Sequence, residues 1–230
     1  MTHSLIKRLV ELNSKERFFL VAYALGKPGF QLGKKFRKDL GDAIGVRVPK
    51  DAFCAMDYHL DWIHAAIDSH NMDSDLANVW ENRDGCVEGN QEDVDLLVVF
   101  ETRAGEPSKK NELHMVLVEA KATTGWTNKQ IASKAMRLGR ILGFKKDFCA
   151  SLDIVPHFVL TSPGKSPDKL RTKPPEGGWD WPEWMLMDGS TVPHMTLPVE
   201  NRQSLLKVSR CGIGSEDAGR GFTHWKLMRR

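Results

Sequence analysis

Three apolar runs dominate the chain and predict its sheet. "VDLLVVFE" is apolar at successive positions, the pattern of a strand buried on both faces. "LHMVLVEAKAT" repeats it after the breaker-rich "TRAGEPSKKNE", so the two runs predict a hairpin. "DIVPHFVLTSP" is a third strand, and "WTNKQIASKAMRLGRILGF" before it reads as a helix capped by Thr127.

Upstream, residues 4–25 read as helical, with Asn13 and Glu16 spaced as a capping box for a second helical piece. In "PKDAFCAMDYHLDWIHAAID", Phe53, Met56, Leu60, Ile63 and Ile67 recur at spacings of three and four. They predict one helix, with Asp51 as N-cap. On that helix Asp57 lies nearer the core stripe than Asp61. "NMDSDLANVWENRDGCVEGNQE" reads as a loop with one short strand over 77–80.

The composition changes after Pro163. Seven of the eleven prolines fall between Pro163 and Pro198, together with Trp179, Trp181 and Trp184, which predicts a loop-rich extension over a satellite core. Two short strands, "WMLM" and "HMTLPV", and a short helix over 201–210 are expected within it. "GRGFTHWKLMRR" ends the chain as a frayed tail or a last strand.

The 230 residues are enough for one sizeable domain. Hydrophobic and charged contents of 41% and 27% are those of a globular protein. No apolar run reaches the roughly 20 residues of a membrane-spanning helix. "MTHSLIKRLVELNSKER" is too polar for a signal peptide, so a cytoplasmic location is expected. Cys54, Cys86, Cys149 and Cys211 are scattered without a CxxC pair, which argues for buried thiols rather than zinc or disulfides. A net charge of +3 does not by itself announce a nucleic-acid binder. Local basic runs exist at Lys34 to Lys38, Lys165 to Lys173 and Lys226 to Arg230, and these suit phosphate contacts or plain solvated faces. His64 reads as a partly buried histidine satisfied by a neighbour. The phosphate-binding pattern GxxxxGK[ST] is absent.

The chemistry concentrates at two strand ends. Asp95 opens one strand of the hairpin, and Glu119-Ala120-Lys121 closes the other. Glu119 and Lys121, two apart in a strand, share a face at roughly 6.6 Å. Charges at the edge of a core cost free energy unless they pair or bind something. One reading is a plain ion pair between Glu119 and Lys121, with Asp95 capping a turn. The other is a site: two carboxylates suited to Mg²⁺ and a lysine suited to an attacking water or a developing phosphoryl charge.

The order helix, strand with Asp95, strand with Glu119-x-Lys121, helix, strand resembles the PD-(D/E)xK nuclease superfamily, the restriction-endonuclease-like fold. The resemblance covers about residues 51–162 and departs from the named pattern at Val94, where a proline stands in it. It implies an α/β domain over 1–230, with a mixed sheet flanked by helices and 163–230 as a loop-rich C-terminal extension. It implies a Mg²⁺-dependent nuclease, with Mn²⁺ able to substitute, that hydrolyses phosphodiester bonds in DNA rather than RNA. Asp95 and Glu119 would be metal ligands with the Ala120 carbonyl, and Lys121 the catalytic lysine. Gln130, on the following helix, would touch the site, and Asp57 would be a helix-borne acidic ligand, ahead of Asp61 and Glu16. A homodimer is compatible with such a family, although no dimer seam is legible, and no membrane partner is expected. The alternative is a catalytically silent nucleic-acid-binding or protein-interaction module that retains the fold.

Overall fold

In the computed structural model the runs at the centre of the sequence become neighbouring strands. The structure describes residues 4–26, 30–70, 79–82, 85–90, 92–102, 111–122, 126, 128–144, 154–164, 181–200, 206–211 and 224–229. The helices are α1 (Ser4–Leu12), α2 (Glu16–Ala24), α3 (Lys34–Ile44), α4 (Leu60–Ser69) and α5 (Asn128–Leu142). The strands are β1 (Phe53–His59), β2 (Asp93–Thr102), β3 (Glu112–Ala120), β4 (Ile154–Ser162), β5 (His194–Thr196), β6 (Leu206–Cys211) and β7 (His224–Arg229).

β1 to β5 form a mixed sheet in chain order. β1–β2 and β2–β3 pair antiparallel, whereas β3–β4 and β4–β5 pair parallel. The parallel β3–β4 step needs a crossover, and α5 supplies it. β6 and β7 make a separate antiparallel ribbon. Among the described residues no helix is long and apolar enough to cross a membrane.

Alternation along β3 sorts the two cores. Leu113, Met115 and Leu117 pack with α1, α4 and α5 on one face, and Val116 and Val118 pack with Leu40 of α3 on the other. Trp181 and Trp184 are buried in the first core, so the extension is built into the main body, and Trp184 Nε1 donates to the Gly143 carbonyl at 2.8 Å. Trp179 lies outside the described residues.

Several expectations are corrected. The stretch from Pro49 to Asp68 is not one helix: 53–59 form β1, and α4 begins only at Leu60. Val79 and Trp80 lie in no strand, while the first half of that expected strand is outside the described residues. "WMLM" is a short 3-10 turn over Glu183–Met185 and an isolated bridge from Met187 to Thr191. Residues 206–210, expected helical, belong to β6, and the last strand is β7. The capping box does not form: Lys15 is the N-cap of α2, and Asn13 Oδ1 is buried without a partner. Thr127, the expected cap of α5, is outside the described residues. Cys54 and Cys86 are buried free thiols.

Candidate active site

β3 delivers Glu119 onto the α5 face. It continues the alternation of Leu113, Met115 and Leu117, and only 5% of it is exposed. Asp95 belongs to the neighbouring β2. Its Oδ2 accepts the Ala120 N–H at 2.6 Å, which ties one acid to the backbone of the Glu-x-Lys segment. Lys121 lies one residue past the end of β3, where its N–H donates to the Thr161 carbonyl at 2.9 Å. Its ammonium sits 5.7 Å from the centroid of the Trp126 ring, a cation–π distance.

The cation on Glu119 is Lys134, not Lys121. Lys134 Nζ donates to Glu119 Oε1 and, at 2.5 Å, to the Asp93 carbonyl. The Asp93 carboxylate in turn receives Lys15 Nζ at 3.3 Å. Burial pushes the Glu119 carboxyl up to about 7; Lys134 opposes that rise, Asp95 adds to it, and Lys121 opposes it. Asp95 is therefore close enough to disfavour the charge on Glu119.

Asp57 reaches this region by a different route from the one its sequence pattern suggests. It stands on β1, between the Met56–Leu96 and Tyr58–Val94 rungs, as Asp95 does on β2. Its φ of +50° is left-handed, a conformation that aspartate tolerates better than most residues. Its Oδ2 lies 3.2 Å from Arg17 Nη1. Among the described residues no three His, Cys, Asp or Glu side chains converge closely enough to hold a metal ion, so Asp57, Asp95 and Glu119 do not form one three-acid cluster. Gln130 is on α5, one turn before Lys134, and its side chain is outside the described residues.

Asp61 has structural work. Its carboxylate accepts the Glu88 and Gly89 N–H groups at 3.1 and 2.9 Å and pairs with Arg137. Arg137 is 2% exposed and also meets Asn90 at 2.6 Å and Glu92 at 3.0 Å. This network fastens α5 to α4 and to the segment that leads into β2. Glu16 opens α2 without capping it, and His64 pairs with Asp68 at 3.4 Å rather than with Asp57.

Sequence reasoning missed Lys134 and Arg137. The readable signal was their place in α5: both fall on the stripe marked by the buried Ile131, Ala135, Leu138 and Ile141. It also missed His114 and His157. These lie on the sheet face away from Glu119, with His114 Nδ1 and His157 Nε2 3.0 Å apart and the rings stacked. Burial holds both below the usual histidine range, His157 down to about 4.

The donor set at the Asp95–Glu119 pair is hard oxygen, which suits Mg²⁺ or Mn²⁺ and not a thiophilic metal. Compared with known proteins, the chain matches no family model, no curated protein and no solved structure.

Proposed function

We propose that the chain is a metal-dependent nuclease that hydrolyses phosphodiester bonds in DNA. The observation that carries the reading is the Asp95–Ala120 hydrogen bond, which brings one acid against the Glu-x-Lys segment beside a buried Glu119. Asp95 disfavours the charge on Glu119, and a divalent cation beside the two carboxylates would relieve that repulsion. Asp95, Glu119 and the Ala120 carbonyl would hold Mg²⁺, with Mn²⁺ as a substitute. When bound, the ion supplies charge neutralisation at the phosphoryl group and an acidified water. Lys121 adds positive charge for the developing phosphoryl oxygens, and Lys134 keeps Glu119 oriented. The antiparallel β1–β2–β3 unit followed by α5 and a parallel β4 supports the restriction-endonuclease-like reading of the α/β fold.

The test is cleavage of supercoiled plasmid and of labelled single strands with Mg²⁺ or Mn²⁺, comparing wild type with Glu119→Ala. Metal-dependent cutting by the wild type alone is expected. Equal cutting by both proteins overturns the assignment.

One observation favours a second reading, a silent binding or interaction module that keeps the fold. The Lys134 ammonium already compensates Glu119 without any metal. Calorimetry with Mn²⁺ separates the two, because the silent module gives no binding heat.

A further inference from the structure

β6 and β7 form a ribbon of two strands, an arrangement that is marginal on its own in water. Apart from Ser209, the residues of the ribbon whose burial is described are exposed, including Trp225, Val208, Leu206 and Leu227. Among the residues whose burial is described, none of the ribbon belongs to either core. The register explains how these side chains are grouped. Leu206 is opposite Arg229, Val208 opposite Leu227, and Arg210 opposite Trp225. Opposed residues share a face, and these three rungs alternate, so one face carries an apolar stripe with an arginine at each end.

The two strands hold Lys207, Arg210, Lys226 and Arg229 and no aspartate or glutamate. Those four cations outweigh the +3 net charge of the whole chain. An apolar stripe alone would suit a protein or a lipid surface; cations at both ends with no acid select a polyanion. Arg210 and Arg229 stand on opposite strands four rungs apart, about 13 Å along the ribbon. The major groove of B-DNA admits a two-stranded ribbon lying along it, with one strand beside each phosphate rail.

We propose that the β6–β7 ribbon is an arm that grips duplex DNA. It enters the major groove with Val208, Trp225 and Leu227 toward the base edges and Arg210 and Arg229 on the two phosphate rails. Among polyanions, the choice of DNA rests on the nuclease reading of the Asp95–Glu119 pair.

The test uses the full chain and a fluorescent duplex in EDTA, where no cleavage interferes, with anisotropy measured across a range of salt. The double variant Arg210→Ser/Arg229→Ser should bind at least about tenfold more weakly near 0.1 M salt. Its log–log salt slope should fall by about 1.8, at ~0.9 for each of the two arginine–phosphate contacts. Arg210→Lys/Arg229→Lys should stay within about threefold of wild type, since it keeps the charge. Both variants should keep the thermal midpoint of the wild type. Three results overturn the arm: a serine double variant that binds like wild type, tighter binding to a single strand than to the duplex, or binding to phosphatidylserine vesicles without binding to the duplex. Plasmid cleavage separates the two proposals. A wild type that binds through the ribbon but never cuts overturns the nuclease and leaves the arm supported; one that cuts while the serine double variant binds normally overturns the arm alone.

Discussion

The ammonium of Lys134 joins the Glu119 carboxylate to the Asp93 carbonyl, so a single side chain of α5 clamps the end of β3 to the start of β2. The Lys134 and Glu119 side chains are only 13% and 7% exposed, and Glu119 is among the few charged groups buried among the described residues. An ion pair in such a place is only weakly stabilising, because desolvation offsets the attraction. Its value lies in position: it fixes the carboxylate beside Asp95.

Glu119 makes stability depend on pH. Its carboxyl titrates at about 7 in the fold, against 4.5 as its ordinary value. The folded state therefore holds this proton more tightly than the unfolded chain. The associated stability is complete below pH 4.5 and is lost as pH rises through 7. The gap corresponds to roughly 3 kcal/mol at most. Glu119→Gln has no such proton to lose. Its stability relative to wild type, read from urea unfolding, should rise by up to about 3 kcal/mol between pH 5 and pH 8. Parallel pH profiles would contradict the raised carboxyl.

Arg137 is the buried cation whose loss should hurt most. Arg137→Met would leave Asp61 and Glu92 with no cation between them. Breaking a buried pair on one side costs about 3–5 kcal/mol. Arg137→Lys should recover only part of that, because an ammonium lacks the fork that meets Asp61, Asn90 and Glu92 at once. A urea midpoint for Arg137→Met within error of wild type would contradict the network.

Asp57 offers a backbone test. A left-handed φ costs a β-branched residue about 1–3 kcal/mol, and glycine nothing. The Arg17 pair is mostly exposed on the arginine side and is worth about 1 kcal/mol at most. Asp57→Gly should therefore unfold within about 1 kcal/mol of wild type, and Asp57→Val about 2 kcal/mol below it. Thermal unfolding of the two variants side by side decides the matter.

The same residue explains what the sequence concealed. A strand exposes a period of two, yet Ala55 and Tyr58, three apart, both enter the α5-side core, while Cys54 enters the other. The turn of the backbone at Asp57 produces that spacing of three, which is the spacing of a helix. On β2, Val94 and Leu97 behave alike around Asp95. β2, β3 and β4 were legible because burial on both faces leaves long apolar runs that no helix of their length would need. β6 was not, since an exposed ribbon carries no buried face to impose a pattern. At the candidate site, Asp95 and Glu119 were legible from their places at strand ends. Lys134 was not, because its partner is 15 residues away and the pairing needs the crossover of α5.

β5 is three residues long, and it comes from beyond residue 180 to cover Leu160–Ser162. A chain cut between β4 and β5 would retain Asp95, Glu119, Lys121 and Lys134 in full. It would also lose Trp181 and Trp184 from the core and bare the whole outer edge of β4. Such an edge recruits strands from other molecules. The fragment would hold every acid and lysine of the site and still precipitate, so the smallest piece that stays in solution must extend past Thr196, well beyond the last residue with chemistry to perform.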